Sequence, residues 1–275
     1  MATQYSTVDG AFTPQDFGQL VNLAVKRQSI AGRSASHFGT DAAKVTFPRW
    51  TANPAVAMYN ELEQIALTDA TTDHVDALVY KTAAINLISN EMADDSNPSV
   101  AELIGAGLAE NIARKIDACY LANTTAKGPD GLLAQSYTAI DNGGAAFTSL
   151  DPFIAARYAA EANGSKLTHW IVSPATAEVL SKIKVQSGSQ LNLLQFVDDG
   201  IEVAGLPVLL SNQIDAGTLA WGIPKEHVQF VLRKDTEVRK FDAVREDGVY
   251  IRAVARFGFA FLNEPGITRI YDVTP

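Results

Sequence analysis

Residues 91–122, EMADDSNPSVAELIGAGLAENIARKIDACYLA, constrain the fold more than any other stretch. Asn97 is placed as an N-cap, with Pro98 at the first helical position. Val100, Leu103, Ile104, Leu108, Ile112, Ile116 and the pair Cys119–Tyr120 recur at three and four residues, which predicts one apolar stripe on one long helix over about 98–122. About 24 residues at 1.5 Å each make a rod of roughly 36 Å, longer than most globular helices. Glu102 and Glu110 lie in its first half and Arg114 and Lys115 nearer its end, in accord with the helix dipole. Gly128, Pro129 and Gly131 stop it. The rod carries no histidine and no catalytic pair, which leaves open why a chain would build it.

The rest of the chain alternates between ordinary and unusual segments. TPQDFGQLVNLAVKRQSI predicts a short helix closed by the small residues of AGRSASHFGT, and KVTFPRW (44–50) predicts a strand. Residues 51–80 hold neither a helical nor a strand period. They carry Glu61, Glu63, Asp69, Asp73 and Asp76 but no lysine or arginine. A loop of this length is either a solvated acidic insertion or an arm that leaves the body to lie on a neighbouring subunit. VYKTAAINLISNEM returns as a strand and a helical turn. From 149 to about 232 strands and helices alternate as an α/β layer, through a helix at 149–163, THWIVSP, PATAEVLSKIK, GIEVAGLPVLLSN, LAWGI and HVQFVLR. GVYIRAVARFGFAFLN then alternates strictly, with Arg252 and Arg256 opposite an apolar face. It predicts a long antiparallel strand whose hairpin partner is TEVRKFDAV.

The search for chemistry finds structural uses instead. His37, His74, His169 and His227 are far apart, and the lone Cys119 leaves no metal-ligand spacing. GAGLAE (105–110) has phosphate-loop glycines but lies inside the helix, where small residues serve close packing. Ser181 and Lys184 match S-x-x-K without its companion motifs. Asp94–Asp95 precede a helix N-terminus, where negative charge is favoured by about 0.3–1 kcal/mol, and need no metal.

With 47% apolar residues the chain can build a sizeable core, and a formal charge of −9 disfavours a basic nucleic-acid face. One cysteine excludes an internal disulfide and fits a reducing compartment. No apolar run approaches the roughly 18 residues of a membrane span, and the first residues form no signal peptide. A soluble protein made in the cytoplasm is expected.

The order of these segments resembles that of tailed-bacteriophage major capsid proteins of the Hong Kong 97 type, from about residue 12 to 273. FPRWTANPAVAMYNELEQIALTDATTDHV stands where that family has its extended E-loop. KTAAINLISNEMADDS followed by PSVAELIGAGLAENIARKIDACYLA resembles the lead into its spine helix. GPDGLL resembles its glycine-rich turn, WIVSPATAEVLSKIK and GIEVAGLPVLLSN its axial domain, and RKDTEVRKFDAVREDGVYIRAVARFGFAFLNEPGITRI its closing peripheral strands. The resemblance implies an α+β capsid fold with four parts: an N-terminal arm (1–43), an E-loop (44–82), a peripheral domain (83–148 and 233–275) and an axial domain (149–232). It implies a structural protein without enzymatic activity, cofactor or metal. Copies would assemble as hexamers and pentamers of an icosahedral head around double-stranded DNA, held without sequence-specific binding. Separate scaffolding, portal and decoration proteins would be further partners, and assembly would occur in the host cytoplasm. The nearest alternative is an encapsulin-like shell around protein cargo; an α/β enzyme built on the 150–232 layer is the more distant one.

Combining the resemblance with charge gives a contact expectation. The acids Glu61, Glu63, Asp69, Asp73 and Asp76 of one subunit would lie across Arg233, Lys234, Arg239, Lys240, Arg245, Arg252 and Arg256 of its neighbour. Two departures from the family pattern carry expectations. Some members join an E-loop lysine to an asparagine of a neighbour, yet residues 51–80 contain no lysine, so no such bond is expected. Some carry an N-terminal scaffolding segment of about a hundred residues; a short arm following Met1 implies that scaffolding is separate, absent or already trimmed.

Overall fold

The computed structural model describes residues 29–52, 54–69, 71–94, 100–144, 147–184, 194, 196–197 and 200–272. In chain order its strands are β1 (Ser36–Gly39), β2 (Lys44–Ala52), β3 (Thr71–Leu78), β4 (Tyr80–Ser89), β5 (Thr138–Asp141), β6 (His169–Val172), β7 (Phe196–Val197), β8 (Gly200–Val203), β9 (Leu206–Leu210), β10 (Thr218–Ile223), β11 (Val228–Ala243), β12 (Gly248–Phe261) and β13 (Thr268–Tyr271). The helices are α1 (Ile30–Ser34), α2 (Asn90–Asp94), α3 (Val100–Leu121), α4 (Asp151–Ala162) and α5 (Pro174–Lys182).

The long helix is α3. Ala101, Ala109, Ile112, Ala113, Ile116, Cys119 and Tyr120 are buried, and Ile104 and Leu108 pack against the same core. Leu103, expected on that stripe, instead faces out, because the small residues Ala101 and Gly105 occupy the inner side of the first turns. A Cβ added at Gly105 would sit 3.5 Å from Val238 of β11, an ordinary contact, so helix and sheet approach closely there. The expected caps Asn97 and Pro98 lie outside the described residues. So do the expected arm helix up to residue 28 and the Asp95 of the expected capping pair. Asp117, on the buried side of α3, accepts from Ser29 Oγ (2.6 Å) and Ala31 N (3.0 Å) and so ties the start of α1 to the rod. Burial pushes its carboxyl above the ordinary range, against the pull of those donors.

α3 covers one face of a four-stranded sheet ordered β1-β11-β12-β4. Phe230, Phe257, Phe259 and Phe261 form an aromatic row beneath Tyr120, with ring centroids 5.2–6.4 Å apart. The alternation read in GVYIRAVARFGFAF places this row and leaves the even-numbered side chains on the opposite face. β1 is a strand that the small residues of SHFG did not suggest; it exists because its backbone joins β11 in parallel.

A second, seven-stranded mixed sheet is ordered β5-β13-β10-β6-β9-β8-β7 and carries its own core, with Phe153 and Ala160 of α4 and Leu180 of α5 against Trp170 and Val172. The strands of this sheet do not coincide with the stretch 149–232. β5 and β13 join the sheet from outside that range. HVQFVLR leaves it, because HVQFVLR and TEVRKFDAV are one strand, β11. Two register shifts between Leu232 and Glu237 absorb the charged run that reads as a break in the sequence.

The segment 51–80 is also more regular than its sequence indicates. β3 pairs with β2 as an antiparallel two-stranded ribbon from Lys44–Leu78 to Ala52–Thr71. Only Ala77 of β3 is fully buried, so no alternation announces the strand.

Candidate intersubunit surfaces

The ribbon has two unlike ends. At its base, Ala77 is buried with Val231 and Ala260, and Val45, Phe47, Val75 and Val79 pack around them. This small core lies on the face of the four-stranded sheet that α3 does not cover. The approach is close: a Cβ at Gly258 would sit 2.3 Å from the Leu78 carbonyl oxygen, so only glycine permits the crossing. The base is also neutralised. Arg49 donates to Asp73 (2.8 Å) and to the Leu262 carbonyl (3.3 Å); Lys44 (2.7 Å) and Thr46 (2.7 Å) bind Asp76. The His74 backbone N–H and the Arg49 guanidinium hold the Asp73 carboxyl below its ordinary range, and Lys44 does the same for Asp76.

At the other end, residues 54–69 leave the body. Val56, Met58, Leu62 and Leu67 are fully exposed and Ile65 is 71% exposed. Glu61, Glu63 and Asp69 stand among them with no lysine, arginine or histidine in the segment. Its described hydrogen bonds are local: Asn60 N donates to Glu63, Ala66 N to the Tyr59 hydroxyl, and Thr68 to the Ala55 carbonyl. An acidic, apolar projection that buries nothing of its own has no source of stability within the chain for keeping its large side chains in water.

Strand register defines a complementary surface. Beyond the ribbon base, the outer face of the sheet is built of rungs across β11, β12 and β4. They run Phe241–Tyr250–Leu87, Arg239–Arg252–Ile85, Glu237–Val254–Ala83 and Lys234–Arg256–Lys81. Arg239 thus lies directly opposite Arg252, and Arg256 lies between Lys234 and Lys81, an arrangement that costs stability in an isolated sheet. Glu237 partly relieves it by pairing with both Lys234 and Arg239, whose cations hold its carboxyl below its ordinary range. Arg252 lies 4.6 Å from the centre of the Phe241 ring. Phe241, Ile85 and Leu87 remain exposed between the cations.

The twelve charged residues singled out in the sequence therefore separate. Glu61, Glu63 and Asp69 stand at the ribbon tip; Asp73 and Asp76 are committed to cations of their own chain at the base. Lys234, Arg239, Arg252 and Arg256 share the outer sheet face. Lys240 lies on the opposite face, paired with buried Ile251; Arg233 is half-buried at the register shift; Arg245 belongs to the exposed 244–247 turn. Sequence reasoning missed Lys81, Ile85 and Leu87, which join the surface only because β4 pairs with β12. The alternation of YKTAAINL hints at this without indicating which face is covered.

The fold recurs in known proteins. The family model described as Phage capsid family matches residues 10–270. A structure from Mycobacterium phage Bobi superposes with a TM-score of 0.73 at 16% identity, covering 100% of this chain and 96% of that one. The capsid of an empty GTA particle gives a TM-score of 0.75 at 17% identity, covering 100% and 95%. Microbacterium phage Oxtober96 gives 0.75 at 14%, covering 99% and 96%. No curated protein matches in sequence.

Proposed function

The chain belongs to the phage capsid family, and from that premise we propose that it is the repeating subunit of an icosahedral head, forming hexamers and pentamers that enclose double-stranded DNA. It is a structural protein of the virion capsid, not an enzyme, and its fold is of the Hong Kong 97 type. Self-assembly into a shell is what such proteins do. The finer reading adds the contact that drives it. The tip 54–69 of one subunit lies over the cationic outer face of a neighbour's four-stranded sheet, with Glu61, Glu63 and Asp69 against Lys234, Arg239, Arg252 and Arg256. In this reading 44–82 is an E-loop, the long helix and long strands form a peripheral domain, and the seven-stranded unit is the axial domain.

One observation carries the proposal: the tip exposes Met58, Leu62 and Leu67 fully and bears only negative charge, while the sheet face exposes Ile85, Leu87 and Phe241 and bears mainly positive charge. Each exposed ion pair contributes only ~0.2–1 kcal/mol. Repetition around a closed lattice makes such contacts decisive. Because residues 51–80 lack lysine, no lysine–asparagine bond joins neighbours through this segment. DNA, contacted without sequence specificity, is the content; portal and decoration proteins are candidate further partners, a separate scaffolding protein is one of the three scaffolding routes named above, and assembly takes place in the host cytoplasm.

The test reverses Glu61 and Glu63 to lysine. Particles seen by negative-stain microscopy at low salt should be lost, and reversing Arg239 and Arg252 to glutamate in the same chain should restore them. Unchanged assembly of the Glu61→Lys/Glu63→Lys protein at low salt overturns the pairing. Nucleic acid rather than protein cargo inside purified particles separates a phage head from an encapsulin-like compartment.

A further inference from the structure

β4 is the edge of the four-stranded sheet, and its backbone is left half unused. Asn90 N donates to the Asp247 carbonyl at the end of the β12–β4 ladder (3.3 Å), which makes that opposed pair a hydrogen-bonded one. Alternation then directs the backbone groups of Ile88, Asn86, Ala84 and Thr82 to β12, and those of Leu87, Ile85, Ala83 and Lys81 away from it. Val79 supports this phase, since its N–H points away from β12 to the Ala43 carbonyl (3.0 Å). Among the described residues, no backbone partner meets the outer edge of β4 from Lys81 to Leu87.

Natural sheets usually blunt such edges with proline, bulges or repeated charge. Here the strand YKTAAINLIS has no proline or bulge and only one charge, Lys81 at its start, and Ile85 and Leu87 are exposed beside it. The start of the edge opens onto a cleft of about 240 Å³ lined by Lys81, Lys115, Lys127 and the 125–129 turn, with no acidic residue in its wall. A strand entering this groove must therefore offer unpaired backbone, apolar side chains and negative charge. Of the two arms of the ribbon tip, which form no backbone ladder with each other, 54–60 is uncharged, whereas 63–69 has all three properties: it carries exposed Ile65 and Leu67 between Glu63 and Asp69.

We propose that the arm 63–69 of the tip of a second copy docks by adding a strand to the free edge of β4, with one of its end carboxylates, Glu63 or Asp69, at the three-lysine cleft. This rests on the tip-to-sheet reading above and adds an edge contact to it: main-chain hydrogen bonds supply the register of 63–69, while Glu61 and the 54–60 arm are left to lie over the outer face.

Ala83→Pro provides the test, because it removes an N–H that the isolated subunit does not use. The variant should keep its circular dichroism and its melting transition, while its particle yield falls roughly tenfold or more, a loss of about one edge hydrogen bond per contact. Ala83→Val, which retains the N–H, should assemble normally. Residue-resolved hydrogen exchange on the unmodified protein gives a second reading that needs no variant. The amides of Ala83, Ile85 and Leu87 should exchange freely in dissociated subunits and become protected in particles, together with amides of the tip. Normal assembly of Ala83→Pro overturns the proposal. So does rapid exchange at those three positions within particles, or protection there without protection of the tip, which would assign the edge to another segment. If the Glu61→Lys/Glu63→Lys protein fails to assemble while the β4 edge of unmodified particles stays open, the tip-to-sheet reading survives and strand addition falls.

Discussion

The base and the tip of the ribbon share two strands but behave as parts of different objects. At the base, each carboxylate has a cation of its own chain, Asp73 with Arg49 and Asp76 with Lys44, and Ala77 is buried against Val231 and Ala260. At the tip, larger apolar side chains such as Met58 and Leu67 are fully exposed, and the acids meet no cation within the segment. The base follows the rules of a folded monomer. The tip obeys them only if burial and countercharge come from elsewhere. The lesson extends to the sheet: the same outer face is covered at Gly258 and Ala260 by its own ribbon base and left open from Tyr250 to Arg256. One half thus displays, within the subunit, the kind of cover the other half lacks.

The sharpest way to break this comparison is to remove the tip. Replacing residues 55–68 by a two-residue turn should leave the melting temperature of the isolated subunit nearly unchanged, since surface changes away from packed features stay within about ±0.5 kcal/mol. Particle formation, followed by sedimentation, should be abolished. A large loss of subunit stability would show that the tip belongs to its own body after all. The next largest effect belongs to the base. Gly258→Val places atoms where the Leu78 carbonyl lies, 2.3 Å from the added Cβ. Displacing the ribbon or straining β12 should cost about 1–3 kcal/mol, read in denaturant melts of the subunit. The tip substitution Met58→Ala should cost nothing by the same measurement.

The two regions also differ in how much of them the sequence reveals. The long helix is legible because its apolar residues recur with one period over many turns, and β12 because its alternation is strict. Where the signal fails, tertiary context decides. Leu103 belongs to the stripe by spacing, yet Ala101 and Gly105 hold the inner side. Arg233, Lys234 and Asp235 read as a break, yet β11 passes through them by shifting register. β3 is invisible because a ribbon exposed on both faces needs no alternation. The sign of the candidate surfaces, acidic over 51–80 and basic over 233–256, is legible in composition. The grouping is not: only pairing of β4, β11 and β12 separates Arg239 and Arg252 from Lys240, and only the base contacts withdraw Asp73 and Asp76 from the tip. Asp117 shows the same limit, since nothing in the helix sequence marks one aspartate for burial against Ser29.

Acid sharpens the comparison at a smaller scale. Asp73 and Asp76 have folded pKa values below their ordinary 3.8. A depressed carboxyl stabilises the folded form above its unfolded pKa, and that contribution is lost as pH falls through the folded value. The ribbon base should therefore begin to loosen below about pH 3.8, and Arg49→Ala together with Lys44→Ala should flatten that part of the stability profile. Asp117 has the opposite sign: its raised pKa means the folded state favours the proton, so its ionisation costs stability as pH rises through the folded value. Asp117→Asn should remove this slope while leaving the Arg49-dependent one intact, as measured by melting temperature across pH.

The smallest effect tests whether the tip's charge acts as a set of weak contacts. Glu61→Gln removes one carboxylate and keeps the shape. In one subunit contact the loss is about 0.2–1 kcal/mol at low salt and less as salt screens the pair. The concentration needed for half-maximal assembly should therefore rise by a few-fold at most, and the rise should shrink with added salt. Leu62→Ala, which alters apolar area without charge, should shift assembly by a similar or larger factor with no such salt dependence. Equal salt dependence for the two variants would mean that the exposed leucine and the exposed glutamate do not meet the mixed apolar and cationic surface formed by Ile85, Leu87, Arg239 and Arg252.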